Sequence, residues 1–390
     1  MIMPLNLMIL TSYFAIEPKS IRGGISYRYV GLYGSLVKAL MNCSPESRIF
    51  WYSHSDRCLR LITRKKTIEK QFGILKAVLG AIFCTLRNRS YLAVVVAYPY
   101  AVPRVQAVLG YILSLLVLKV FGIGGRVKVI VDIFDPPVEA AYAFQEKGPS
   151  IPAILYYRIL DMLSLKLASF IIVPSQSYRQ YVTKVYRINR LKISVVPTGS
   201  LVRYISFAPT KSEGPLTVLY SGSAMKVKDV DKLVSIITNL RECGLEIKLY
   251  IAGAKLMDLP DYVHIGSYGW VSFVKDILSN SDIGVIPYPP NRLHFSYTML
   301  SKLFDYMAAG KPIISTALKE TGNIIRMFNC GLVARNWKEF KLHLKKLYRN
   351  REFAQKLGEN GRRAAEKYFD YELLARTLLT KLIKMFEIDH

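Results

Sequence analysis

Short, unbroken apolar runs alternate along this chain with segments whose apolar residues recur every three or four positions. Leu5–Thr11, Leu92–Ala97, Val127–Ile133, Ile171–Pro174 and Ile193–Pro197 read as strands. Ser26–Leu40 and Ile151–Ala168, between them, read as helices. From Arg203 to Pro215 the chain turns polar and holds Pro209, Gly214 and Pro215, a linker signature. The alternation then restarts. Leu216–Tyr220, Ile247–Ala252 and Asp282–Pro287 are expected strands, and Val263-His264-Ile265 is short and extended. Val230, Leu233, Val234, Ile237 and Leu240 stripe a helix that Gly244 ends, and Glu339 to Lys384 is helical with a break expected near Gly358–Gly361. Two successive βα halves predict an α/β protein with two parallel sheets, each covered by helices. The expected units are 1–205 and 206–370, followed by a C-terminal helix over 371–390 that packs back on the first. Ligands of such sheets sit beyond the C-terminal ends of the strands, which here means the cleft between the two units.

MLSKLFDYMAAGKPIIST, Met299 to Thr316, shows the local logic most sharply. Leu303, Phe304 and Met307 lie at helical spacing, Gly310 suits the left-handed position after a helix, and Pro312 bars continuation before the strand Ile313–Thr316. Ser301 and Lys302 open the helix, and Asp305 follows one turn later on the same side. Free amides at a helix start, with a cation beside them, suit a phosphate, and the carboxylate suits two vicinal hydroxyls. An ordinary solvated helix fits these residues equally well.

Composition narrows the choices. The chain has 390 residues, 51% of them hydrophobic, and a net charge of +26. Residues 1–200 contribute +17 of that and residues 201–390 +9, so the first half should favour an anionic partner: a membrane surface, a pyrophosphate or a nucleic acid. Five scattered cysteines without CxxC spacing or His clusters argue against a zinc site or a disulfide framework and fit a reducing cytoplasm. The opening MIMPLNLMILTS has no basic n-region and reads as a first strand. Ala107 to Leu118 is apolar but only twelve residues long, short of the roughly 20 a membrane span needs, and reads as a buried helix. Between Arg48 and Arg104 stand eleven Lys+Arg against two acids, interleaved with Leu59, Leu61, Ile62, Phe72, Ile74, Leu75, Val78 and Leu79. Such a stretch is expected to lie against anionic lipid through an apolar face, unless it is simply a solvated basic helix.

Several loops follow strands and so should face the cleft. Gly23-Gly24 permit close backbone approach of a diphosphate or an acceptor, or form a tight turn. Gly222 follows a strand, with Lys226 and Lys228 before the next helix. Asp229-Val230-Asp231 is the one D-x-D in that loop. Opening a helix behind two lysines, it reads as complement to the helix dipole rather than as a metal ligand. Gly266 and Tyr268 could border a nucleobase, and Tyr288, Asn291 and Arg292 are expected to overhang the cleft. Asp132 and Asp135 end a strand, where one of them could contact a substrate hydroxyl or act as a base; turn formation before Pro136-Pro137 is the equal alternative. No metal and no cofactor is expected.

SKLFDYMAAGKPIIST resembles the signature P-S-K-L-x-E-Y-M-A-x-G-x-P-V-I of family 4 (group 1) glycosyltransferases, GT-B enzymes that use nucleotide sugars. RGGISYRYV, FIIVPSQSYRQYV, KISVVPTGS, YSGSAMKVKDVDKL and SDIGVIPY resemble further segments of that family. The resemblance implies a GT-B fold in which the first domain binds an acceptor and the second a UDP- or GDP-sugar. It implies that Asp305 accepts from the ribose hydroxyls, that Ser301, Lys302 and neighbouring Leu303 line the donor site, and that Lys228 or Lys226 binds phosphate. Gly266 to Tyr268 would border the base, and Gly23 and Gly24 the donor phosphate or the acceptor. The chain departs from the pattern at Tyr297, where many members carry a Glu, at Ser223, where a basic residue is expected, and at Leu300, where Pro is expected. The expected activity is transfer of a hexose-type sugar, with retention, to a glycan or lipid-pyrophosphate-linked acceptor at the cytoplasmic face of a membrane. Three rivals are a GT-B sugar-nucleotide epimerase, a non-catalytic nucleotide-sugar binder and a nucleic-acid binder. The first lacks a visible acid/base set around a sugar, and the last lacks a recognised binding module, so no nucleic-acid partner is expected.

Overall fold

A computed structural model describes residues 4–12, 14–21, 27–98, 108–122, 125–135, 137–144, 148–222, 228–253, 260 and 262–387. Its first eight strands are β1 (Leu5–Thr11), β2 (Ile49–Ser53), β3 (Cys58–Ile62), β4 (Thr67–Gln71), β5 (Tyr91–Tyr98), β6 (Val127–Ile133), β7 (Phe170–Val173) and β8 (Ile193–Val195). They form one sheet in the order β4-β3-β2-β1-β5-β6-β7-β8. Six more, β9 (Leu216–Ser221), β10 (Ile247–Ala252), β11 (Val263–Gly266), β12 (Ile283–Ile286), β13 (Ile313–Thr316) and β14 (Gly331–Ala334), form a second sheet in the order β11-β10-β9-β12-β13-β14. Every pairing in the second sheet is parallel, and the first is parallel apart from β2-β3 and β3-β4. β1 and β5 are buried along their whole length, as strands covered on both faces must be.

Right-handed crossovers decide which helices share a face. From β4 the chain moves to β5, then β6, then β7, always in one direction across the sheet. The helices Ile74–Arg87, Val108–Gly122 and Ile151–Leu167 therefore cover one face, each packed on the next. The helix Ser35–Cys43 covers the other face, where the C-terminal helix Tyr371–Glu387 packs against it. Tyr91 and Phe386 meet there with ring centroids 4.9 Å apart, and Lys381 Nζ donates to Ser194 Oγ at 2.7 Å.

Two expectations change. The basic stretch Arg48–Arg104 is not one amphipathic segment. It contains the β3-β4 hairpin at the sheet edge, tied by an Arg60–Glu69 cross-strand pair at 2.9 Å. Ile74 and Val78 belong to the core, and Leu59, Leu61, Ile62 and Phe72 pack against it; of the apolar residues counted there, Leu79 alone stands out into solvent. The C-terminal helical region breaks at Asn350 and Phe369, and the helix Arg351–Tyr368 runs straight through Gly358 and Gly361. Asn350 supplies the break by capping Phe353 N at 2.8 Å. Gly358 is there because a Cβ would come within 2.0 Å of the Gly310 carbonyl oxygen. Gly358→Ala gains about 1 kcal/mol of helix propensity, yet overpacking costs about 1–3 kcal/mol. A lowered urea midpoint is expected, and a raised one would show that the two segments can part at little cost.

Candidate functional site

The central strands β9 and β12 end side by side, and both deliver residues to one buried cluster. Just after β9, Gly222 takes φ +141°, a conformation L side chains rarely adopt. A Cβ there would lie 2.8 Å from Lys302 Nζ and 3.0 Å from the Tyr220 hydroxyl. Lys302, in the first turn of the helix Ser301–Ala308, is buried and donates to the Tyr288 hydroxyl at 2.7 Å. Its ammonium lies 4.5 Å from the Tyr220 ring centroid and 4.6 Å from that of Tyr288. Lys228, also buried, sits with its ammonium 5.7 Å from the same Tyr288 ring. Burial and the Lys228 charge push Lys302 well below its ordinary pKa, and burial brings Lys228 down to about 8. Aromatic faces offset part of this cost. A bound anion would restore both charges, so the arrangement suits a phosphate. Tyr288, expected to overhang the cleft, is instead the buried floor shared by the two lysines.

Asp305, one turn beyond Lys302, is buried and turned toward the first domain. Its Oδ1 accepts from the Tyr27 hydroxyl and from Ser200 Oγ, the latter at 3.0 Å. Tyr27 is held in turn between Trp270 and Tyr371, each 5.7 Å away between ring centroids. Burial pushes the Asp305 carboxyl up to about 7, against the pull of these hydrogen bonds. Two hydroxyls thus address the carboxylate as a vicinal diol would, but both belong to this chain. The Leu303 side chain is fully buried core, and its backbone N–H donates to the Leu300 carbonyl at 3.0 Å. Ser301 is half-buried at the helix start. Tyr268 lies over Gly266, where a Cβ would come within 2.6 Å of its ring, and remains exposed, a flat aromatic surface at the end of β11.

Of the two strand-end acids, only Asp135 reaches the cleft. Asp132 is fully buried, with Arg28 Nε and Nη2 donating to its two oxygens at 2.8 and 2.9 Å and the Tyr33 hydroxyl adding a third bond at 2.6 Å. That corrects the expectation that Asp132 meets a substrate hydroxyl. Asp135 is partly exposed and faces His294 Nε2 across the cleft at 3.9 Å. His294 was not anticipated. It lies on the short helix Leu293–Tyr297, two residues past Arg292, and the apolar residues around it gave no hint of a partner 159 positions away. Burial lowers its pKa, with Asp135 and Glu139 opposing and the Lys228 charge assisting.

Further contacts close the cleft here. Arg292 Nη1 donates to the Tyr142 carbonyl at 2.7 Å, Ser175 Oγ to the Tyr297 carbonyl at 2.6 Å, and Glu320 accepts from Ser177 N at 2.9 Å. Tyr297, in place of an acid, sets its ring 5.6 Å from Tyr181. Asp229 pairs with Lys232 at 3.0 Å where its helix begins, and among the described residues no group of three His, Cys, Asp or Glu side chains is placed to hold a metal. Gly23, Gly24 and Lys226 lie outside the described residues.

Residues 203–364, which carry the lysine cluster and Asp305, match the family model for glycosyl transferases group 1. Residues 203–364 are thus similar to the group 1 glycosyl transferases. Solved structures extend the likeness of fold to the whole chain. Sucrose-phosphate synthase from Thermosynechococcus elongatus is 13% identical with a TM-score of 0.67, covering 98% of this chain and 99% of its own. A glycosyltransferase from Rickettsia africae is 13% identical with a TM-score of 0.64, covering 99% of each. HepE of Anabaena, solved in complex with UDP, is 11% identical with a TM-score of 0.58, covering 98% of this chain and all of its own. The shared architecture is GT-B, two parallel-sheet α/β domains. No curated protein matches the chain in sequence.

Proposed function

We propose that this chain is a family 4 (group 1) glycosyltransferase that moves a hexose-type sugar, with retention and without a metal, from a UDP- or GDP-sugar to a glycan or lipid-pyrophosphate-linked acceptor. The observation that carries the reading is the pair of buried lysines, Lys228 and Lys302, converging on the Tyr288 ring, with Lys302 beside Gly222. Breaking the bond between the anomeric carbon and the diphosphate oxygen leaves negative charge on that oxygen, and two preorganised cations and a helix start neutralise it. UDP is the ligand of HepE, which favours the same class of donor here. Asp305 would take the ribose once Tyr27 and Ser200 yield it, Tyr268 would face the base, and Asp135 with His294 would stand at the acceptor hydroxyl. Gly23, Gly24 and Lys226 keep the roles the family resemblance gives them. The enzyme would work at the cytoplasmic face of an anionic membrane that its basic first domain meets.

A thermal-shift screen against nucleoside diphosphates and their sugars tests the donor class, since a ligand of the native state alone raises the unfolding temperature. A shift with UDP or GDP compounds and none with nucleosides is expected; no shift with any sinks the reading. Chelation by EDTA should leave transfer unchanged, and loss that manganese restores would return Asp229 and Asp231 to consideration as ligands. The depressed lysines also set a pH dependence. A diphosphate raises the pKa of Lys228 from about 8, so binding takes up protons above that pH, and affinity falls as pH rises through it. Titration calorimetry in two buffers of different ionisation enthalpy reads the proton uptake directly. Proton release would mean that the anion does not meet these lysines.

A further inference from the structure

The three helices that share one face of the first sheet turn their outward stripes to solvent, and those stripes are apolar. On Ile74–Arg87 the exposed residues Leu79, Phe83 and Leu86 are spaced four and three apart. On Ile151–Leu167 the spacing repeats in Leu155, Ile159 and Met162. Val108–Gly122, packed between them, exposes Leu116 and Val120 while burying Leu115 and Leu118, so it is apolar on both sides. Phe83 is 67% exposed, Val120 64% and Leu155 60%. A surface helix of a water-soluble domain ordinarily carries polar residues at these positions, and apolar patches that run over several elements mark contact sites.

Charge selects the occupant. Among the described residues of these helices, the exposed charged side chains are Lys76, Arg87, Lys119 and Lys166. The one acid, Asp161, is fully buried and accepts from Tyr98 and Tyr186. Arg158 turns inward to Glu139 at 2.7 Å. A second copy of the chain on this face would bring lysine and arginine toward lysine and arginine. A bilayer surface with anionic headgroups meets both requirements at once, taking the apolar stripes at the acyl boundary and the cations at the phosphates. No helix among the described residues is long and apolar enough to cross a membrane, so the helices would lie along the surface.

We propose that the face formed by Ile74–Arg87, Val108–Gly122 and Ile151–Leu167 docks on an anionic bilayer by inserting its leucine, isoleucine and phenylalanine side chains between the headgroups. The inference deepens the lipid-linked acceptor reading above and rests on it. It narrows the contact from the whole Arg48–Arg104 stretch to the helix Ile74–Arg87 within it, and adds the two helices that follow. The docking face and the cleft belong to the same domain, so attachment would hold the acceptor side of the cleft near the lipid.

Flotation with phosphatidylglycerol-containing and with purely zwitterionic vesicles tests it, at low and high salt. The wild type should float with anionic vesicles and keep a bound fraction at high salt. Phe83→Gln, Leu116→Gln and Leu155→Gln combined should cut vesicle binding by at least about tenfold, since three apolar side chains lose their burial. Affinity for nucleoside diphosphate should stay unchanged and report that the variant is folded. Arg64→Glu, Lys65→Glu and Lys66→Glu combined should leave the salt-resistant fraction in place. Three results would overturn the inference: the glutamine variant floating like the wild type, high salt stripping the wild type completely, or a wild-type dimer in light scattering that the glutamine variant makes monomeric. Flotation without nucleotide binding would instead sink the transfer reading and leave the docking face standing.

Discussion

Lys302→Ala should slow sugar transfer by about 10²–10³-fold, the loss seen when one preorganised group stabilising a developing oxyanion is removed. The protein should remain folded, because an ammonium whose pKa burial and Lys228 both push down is not a source of stability. The loss should appear in turnover and in diphosphate affinity, and hardly in affinity for the nucleoside. Steady-state kinetics with donor hydrolysis as readout, alongside a urea curve, separates the two effects. A folded variant with wild-type turnover would mean that the Lys302 amine rests on Tyr220 and Tyr288 for packing alone.

Arg28→Ala should cost about 3–5 kcal/mol of stability, because it strands the fully buried Asp132 without its bidentate partner. Asp132→Ala should cost a similar amount, and the double substitution less than the two together, since the pair acts as a unit. Denaturant unfolding of the three variants measures this. An Asp132→Ala protein as stable as wild type but unable to transfer sugar would place that acid on the substrate. By contrast Asp135→Ala should leave the unfolding midpoint near wild type and lower transfer, since its carboxylate is partly exposed and faces His294 at a distance of 3.9 Å.

These two acids show what a sequence can and cannot tell. Asp132 and Asp135 sit three residues apart at a strand end, and either could be the working carboxylate. What separates them is a partner far away: Arg28 and Tyr33 reach back from the first helical region to Asp132, and nothing local encodes that meeting. The strands themselves were easy to read. Parallel strands buried on both sides must be continuous apolar runs, and Leu5–Thr11, Val127–Ile133, Ile247–Ala252 and Ile313–Thr316 end in the structure where the pattern ends. Gly310 takes φ +73° after its helix as its sequence setting required. Gly358 misled, because a glycine inside a helix looks the same whether it breaks the helix or admits a neighbouring backbone. The Cys58–Gln71 hairpin misled because its basic residues drew attention from the alternation of Leu59, Arg60 and Leu61, which marks a sheet edge. Around the proposed donor site, Lys228, Lys302 and Asp305 were legible as candidates. The tyrosines that hold Lys302, and the Tyr27 and Ser200 hydroxyls that occupy Asp305, were not, since each comes from a different strand or from the other domain.

The most direct test of a diphosphate held by Lys228 and Lys302 is calorimetric titration of UDP and GDP against uridine and guanosine on the wild-type protein. Charge-assisted hydrogen bonds from the two lysines contribute about 1.5–3 kcal/mol each, so one of the diphosphates should bind at least about 100-fold more tightly than its nucleoside. Equal affinity for diphosphate and nucleoside, or no binding of either, would contradict the account.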